Sequence, residues 1–158
     1  MEHFKQENGY GCGLYSLANL LRKESIITPE RLEASKKGNH SGQLSKWLLE
    51  DGYELFLEPL YFSCTAKRLP KKICELKPHG EGVISLPVFI DVQYSENSKM
   101  HFVTADITPD GKLLVRDSLQ DTIEITTLEE YQKKFARVFG LWHLRHYTEE
   151  GYFMRHED

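Results

Sequence analysis

The apolar residues of this chain change rhythm at Gly52. Before it they recur at helical spacing. Leu14, Leu17, Ala18 and Leu21 fall at i, i+3, i+4 and i+7 just after Cys12, one apolar face of a helix. A second helix is expected after Thr28, with Pro29 at its first position and Glu30 in its first turn. A third is expected over 41–51, with Leu44, Trp47 and Leu48 on one face and Gly52 as its stop. Beyond Gly52, residues 53–61 read as a strand and 67–76 as a short helical stretch interrupted by Pro70. Residues 84–94 and 100–107 are rich in β-branched and aromatic side chains, and Asp110-Gly111 predicts a hairpin turn into 112–117. Thr127 with Glu130 three residues on predicts a further capped helix, and 138–147 a closing strand. Helices first and a mostly antiparallel sheet afterwards is the order of an α+β fold.

A chain of 158 residues without repeats or linkers suits one domain spanning 1–158. Its 40% hydrophobic content is enough for a core. The formal net charge is -4, with acids and bases interspersed, which argues against nucleic acid or an anionic membrane as partner. Lys71-Lys72 and Lys133-Lys134 read as solvated helix faces. No apolar run approaches the ~20 residues needed to span a bilayer, and residues 1–5 lack the apolar stretch of a secretory signal. The three cysteines, Cys12, Cys64 and Cys74, form no CxxC pair. That argues against a disulfide framework or zinc ribbon and for a reducing compartment, so a cytoplasmic protein is expected.

Cys12 lies between Gly11 and Gly13, where the first amphipathic helix begins. A thiol there meets the positive end of the helix dipole and unpaired backbone N–H groups, both of which favour the nucleophilic thiolate. The flanking glycines present no Cβ and would let a substrate backbone approach. Gln6, across a Gly-containing loop, can fold back so that its amide joins the Cys12 N–H around a developing oxyanion. His101 opens a strand directly after the polar loop 95–99, at a sheet end where a base can meet a nucleophile. Counted back from the Asp110-Gly111 turn, Asp117 falls about opposite His101, within reach to orient its imidazole. Asp106 is a weaker orienter, since strand parity turns it to the other face. His3, His40, His79, His146 and His156 read as exposed, whereas His143, among apolar neighbours, is the rival base. Cys64 and Cys74 read as structural thiols.

These residues together resemble the papain-like cysteine peptidases that process bacteriocin leaders at double-glycine sites. The resemblance runs through Gln6-x5-Cys12-Gly13-Leu14-x-x-Leu17-Ala18, His101-Phe102-Val103 and Asp117. It extends to Gly38-Asn39-His40-Ser41-Gly42-Gln43-Leu44 with Gly52-Tyr53, and to Asp117-Ser118-Leu119 through Leu128-Glu129-Glu130-Tyr131, so it covers roughly residues 1 to 147. It implies a papain-like fold with Cys12 as nucleophile, His101 as general base, Asp117 as orienter and Gln6 as oxyanion donor. It implies a peptide or protein substrate and no metal or organic cofactor. The chain departs from the family's pattern at Gly11, where an Asp is common, and at Ser118, where Pro often follows the Asp. The sequence also contains neither the exporter nor the ATPase to which well-known members are fused. A thiol hydrolase acting on a peptide or isopeptide bond is therefore expected. Acyl transfer through the same triad, or peptide binding by an inactive member, are the alternatives.

Overall fold

The computed structural model describes residues 2–65, 76, 78, 80–148 and 151–157. Three helices come first: α1 (Cys12–Leu21), α2 (Pro29–Ala34) and α3 (Ser41–Glu50). Each begins and ends for local reasons. The Thr28 hydroxyl accepts the Arg31 N–H at the start of α2, where Pro29 needs no partner for a missing N–H. The His40 ring accepts the Gln43 N–H at the start of α3, and Gly52, at φ +81°, turns the chain out of it.

Seven strands follow, β1 (Leu55–Thr65), β2 (Val83–Gln93), β3 (His101–Ile107), β4 (Lys112–Arg116), β5 (Glu124–Thr127), β6 (Arg137–His146) and β7 (Arg155–His156). Helix α4 (Leu128–Gln132) lies between β5 and β6, and the Thr127 hydroxyl accepts the Glu130 N–H at its start. Every pairing among the described residues is antiparallel, in the order β1-β6-β2-β3-β4-β5, with β7 on β2. The fold is α+β, as its sequence predicts. β5 and β7 were not expected: four and two residues are too short to carry a readable period. All but the last residue of the expected helix over 67–76, Lys71, Lys72 and Cys74 included, lies outside the described residues, as do His79 and the side chain of Cys64.

The sheet is covered on both faces. Alternation along β2 sends Phe89 to the helical face and Val88, Ile90 and Val92 to the other. On the helical face Phe89, Phe102 and Trp142 meet Leu14, Leu17, Leu44 and Leu48. On the opposite face Val103, Ala105, Val115 and Leu141 pack with Tyr131 and Phe135. Helix α1 lies along β3: the Ser16 hydroxyl donates to the Phe102 carbonyl, and Arg22 pairs with Asp106. Its N-terminus, with Cys12, is thereby held at the His101 end of β3.

Candidate active site

Helix α1 starts abruptly. Gly11 precedes it at φ +87°, a left-handed conformation that favours glycine. Gly13 is required for a different reason: a Cβ there would lie 2.5 Å from the Asn39 Cβ. Asn39 fills that space so that its Oδ1 can accept the Leu14 N–H at 3.2 Å, while its amide donates to Ser35 and Gln43. The first turn of α1 is thus capped from a distant loop. The expectation that Gly13 leaves room for substrate is corrected: its bare face is occupied by Asn39. Cys12 itself stays partly exposed at this helix start.

His101 is 8% exposed and its Nε2 lies 2.6 Å from Oδ1 of Asp117. Nε2 being committed to the carboxylate, Nδ1 is the nitrogen left available to Cys12, whose thiol is near enough to act on the imidazole. Burial would lower the imidazole pKa. The Asp117 hydrogen bond and the Cys12 sulfur outweigh that effect and raise it to about 9. The Asp117 carboxyl is shifted the other way. Burial opposes its ionisation, but hydrogen bonds from His101, the Leu119 N–H and the Tyr94 hydroxyl together lower its pKa.

The two residues do not meet straight across the hairpin. Thr104 faces Arg116 in the β3–β4 register, so one pair further sets Val103 beside Asp117 and leaves His101 on the diagonal. The expected near-opposition is offset by two residues, and the hydrogen bond expected of it is made. The contact survives because β4 ends at Arg116, freeing the Asp117 backbone to turn toward His101.

Gln6, 7% exposed, is held by Ser118. The Gln6 N–H donates to the Ser118 carbonyl at 2.7 Å, and the Ser118 hydroxyl donates to Oε1 at 2.6 Å. Its amide nitrogen is turned to the loop before Cys12, donating to the Asn8 carbonyl at 2.6 Å and the Tyr10 carbonyl at 3.4 Å. The second of these is long and therefore weak.

Of the rival residues, Asp106 is taken up by Arg22, Arg116 and Arg155. His143 is fully buried in mid-β6 with its ring 3.6 Å from that of Tyr152, and burial pushes its pKa down to about 4. His3 donates through Nε2 to the Gln120 carbonyl and His40 caps α3. No group of three or more potential metal ligands occurs among the described residues. No described helix is long and apolar enough to cross a membrane.

Three residues near His101 and Asp117 escape the sequence reading. Ser118 directly follows Asp117 and reads only as a departure from a pattern. Tyr94 gives no signal beyond closing a strand. Asp91 does give one: it is a carboxylate within the apolar run Val88-Phe89-Ile90-Asp91-Val92. Such a run must be buried, and a charge in it calls for a reason. In the fold Asp91 is 7% exposed, and burial pushes its pKa up to about 6 even though the His101 charge pulls it down.

No protein-family model and no curated protein sequence matches this chain.

Proposed function

We propose that the protein is a papain-like thiol hydrolase that cleaves a peptide or isopeptide bond through Cys12, His101 and Asp117. One observation carries the reading. A single buried imidazole is hydrogen-bonded to a carboxylate through Nε2 and has beside it a thiol at a helix start, near enough to raise its pKa. That is the order of contacts nucleophilic acyl transfer needs.

In this reading His101 takes the Cys12 proton on Nδ1, and Sγ attacks the scissile carbonyl carbon. The carbonyl π electrons move to oxygen, which accepts hydrogen bonds from the Cys12 N–H and from Gln6. Gln6 supplies the hydrogen that now makes the 3.4 Å bond to Tyr10, the weaker of its two amide bonds. Collapse of the intermediate breaks the C–N bond, and the imidazolium protonates the departing amine. Water then attacks the thioester while His101 accepts its proton, and the Cys12 thiolate leaves with the carboxylic acid released.

The test is a mass-spectrometric screen of peptide and isopeptide substrates, run with the unmodified protein and after iodoacetamide at pH 6. A thiolate paired with His101 is alkylated there, whereas an ordinary thiol of pKa about 8.5 reacts slowly. Cleavage lost in step with Cys12 alkylation is the expected result. Alkylation no faster than a free cysteine, with no substrate cleaved, would overturn the reading.

A further inference from the structure

We infer that Tyr94 is a positioning residue of this site, fixing the Asp117 carboxylate against His101. The inference rests on the triad reading above and extends it to a side chain on another strand. Asp117 has two oxygens to restrain. Oδ1 meets His101 at 2.6 Å and the Leu119 N–H at 3.0 Å, while Oδ2 accepts the Tyr94 hydroxyl at 2.9 Å. Without Tyr94, one oxygen would lack the partner that stops the carboxylate rotating about its own axis.

The placement of Tyr94 suits that task. It follows directly on β2, whose Val92 pairs with His101. Its ring lies 6.3 Å from the His101 ring at 36° and meets Phe135 edge-on at 6.3 Å. The phenol ring is held between these two rings. Burial and the Asp117 charge both raise its pKa, so it remains a donor wherever a thiolate–imidazolium pair exists. The outer side of Tyr94, 37% exposed, lines a cavity of about 500 Å³ with Tyr131, Leu119 and Asp117. Asp117 and Tyr94 therefore both form part of the wall of this cavity.

The experiment is Tyr94→Phe, which keeps both ring contacts and removes only the hydroxyl. Turnover of the substrate found by the screen and the NMR titration of the His101 ring are both measured. A hydrogen bond to a charged group supports a fall in kcat on the order of tenfold, with KM unchanged. The carboxylate, relieved of one donor, holds the imidazolium more tightly, so the His101 titration moves to higher pH. A purely structural tyrosine would lower thermal stability without moving that titration. An unshifted titration with kcat within twofold of the parent overturns the inference. A shifted titration in a protein that cleaves nothing supports the positioning role and sinks the hydrolase reading instead. Should Tyr94→Phe fail to fold, 3-fluorotyrosine at position 94 keeps the ring and makes a stronger donor. The His101 titration must then move to lower pH, and a stationary one overturns the inference.

Discussion

Ser118 grips Gln6 from two directions, with its carbonyl on the Gln6 N–H at 2.7 Å and its hydroxyl on Oε1 at 2.6 Å. Because Ser118 adjoins Asp117, the residue that would hold an oxyanion is anchored on the same short stretch of chain that carries the proposed orienter of the base. Gln6→Ala should lower kcat by the order of 10²–10³-fold with little change in KM. Ser118→Ala leaves the Gln6 amide in place but unanchored, so its loss in kcat should be smaller. Steady-state kinetics on both variants checks the ranking. A change confined to KM in Gln6→Ala would make Gln6 a binding residue only.

Cys12→Ser should abolish turnover while its melting temperature stays within a few degrees of the parent. The hydroxyl fits where the thiol sits, but it is a far poorer nucleophile at neutral pH. Differential scanning calorimetry alongside the cleavage assay separates the two effects. Full activity would move the chemistry to another cysteine.

Asp117→Asn should cost activity strongly, up to the order of 10⁴-fold, by favouring the wrong imidazole tautomer. The pH dependence gives the sign. The carboxylate helps hold the His101 pKa at about 9 against burial, so its removal lets that pKa fall and pulls the alkaline limb of kcat/KM downward. Stability follows the same linkage. Charged His101 supports the fold fully below its ordinary 6.5, and that support fades as pH rises through about 9. Urea unfolding between pH 6 and 10 should therefore lose this slope in Asp117→Asn.

Asp91 should behave oppositely. Its folded pKa of about 6 exceeds the ordinary 3.8, so the folded state favours the proton and ionisation of Asp91 destabilises it. The penalty is absent below the ordinary value, grows as pH rises toward 6 and is complete above it. Two units correspond to roughly 3 kcal/mol at most. Relative to the parent, Asp91→Asn should gain stability steadily from pH 4 to pH 7 in urea unfolding. A difference independent of pH would mean that the fold leaves the Asp91 pKa at its ordinary value.

Gly13→Ala forces its new methyl into Asn39, 2.5 Å from the Asn39 Cβ. The expected cost is about 1–3 kcal/mol, measured by chemical denaturation. Because Asn39 also caps Leu14, alkylation of Cys12 should slow in the same variant.

The helices were legible because each carries its own punctuation: Thr28 before Pro29, Gly52 after Trp47 and Leu48, Thr127 before Glu130. The strand pair around Asp110-Gly111 was legible for the same reason, since the turn dictates pairing. What one chain does not announce is contact between distant segments. The two-residue offset of Asp117 depends on where β4 stops, and Tyr94 reaches Asp117 from another strand. Gln6 depends on Ser118, 112 positions away. No local period encodes such pairs, whereas Asp91 broke a local pattern and could have been noticed.

Strand β6 enters the sheet between β1 and β2, although 71 residues separate the end of β1 from its start (137 − 66). The meander β2–β5 can zip up as it emerges, each strand against its predecessor. β1 has no such neighbour among the described residues, because its only partner there is β6. During synthesis β1, with α3 resting on it, must wait for the chain to reach Arg137 before it gains a ladder. Long-range closure of this kind is slow, and an unpaired eleven-residue strand is meanwhile open to association with other chains. Production of this protein should therefore be sensitive to the rate of translation after β5 and to the supply of chaperones that shield unpaired strands.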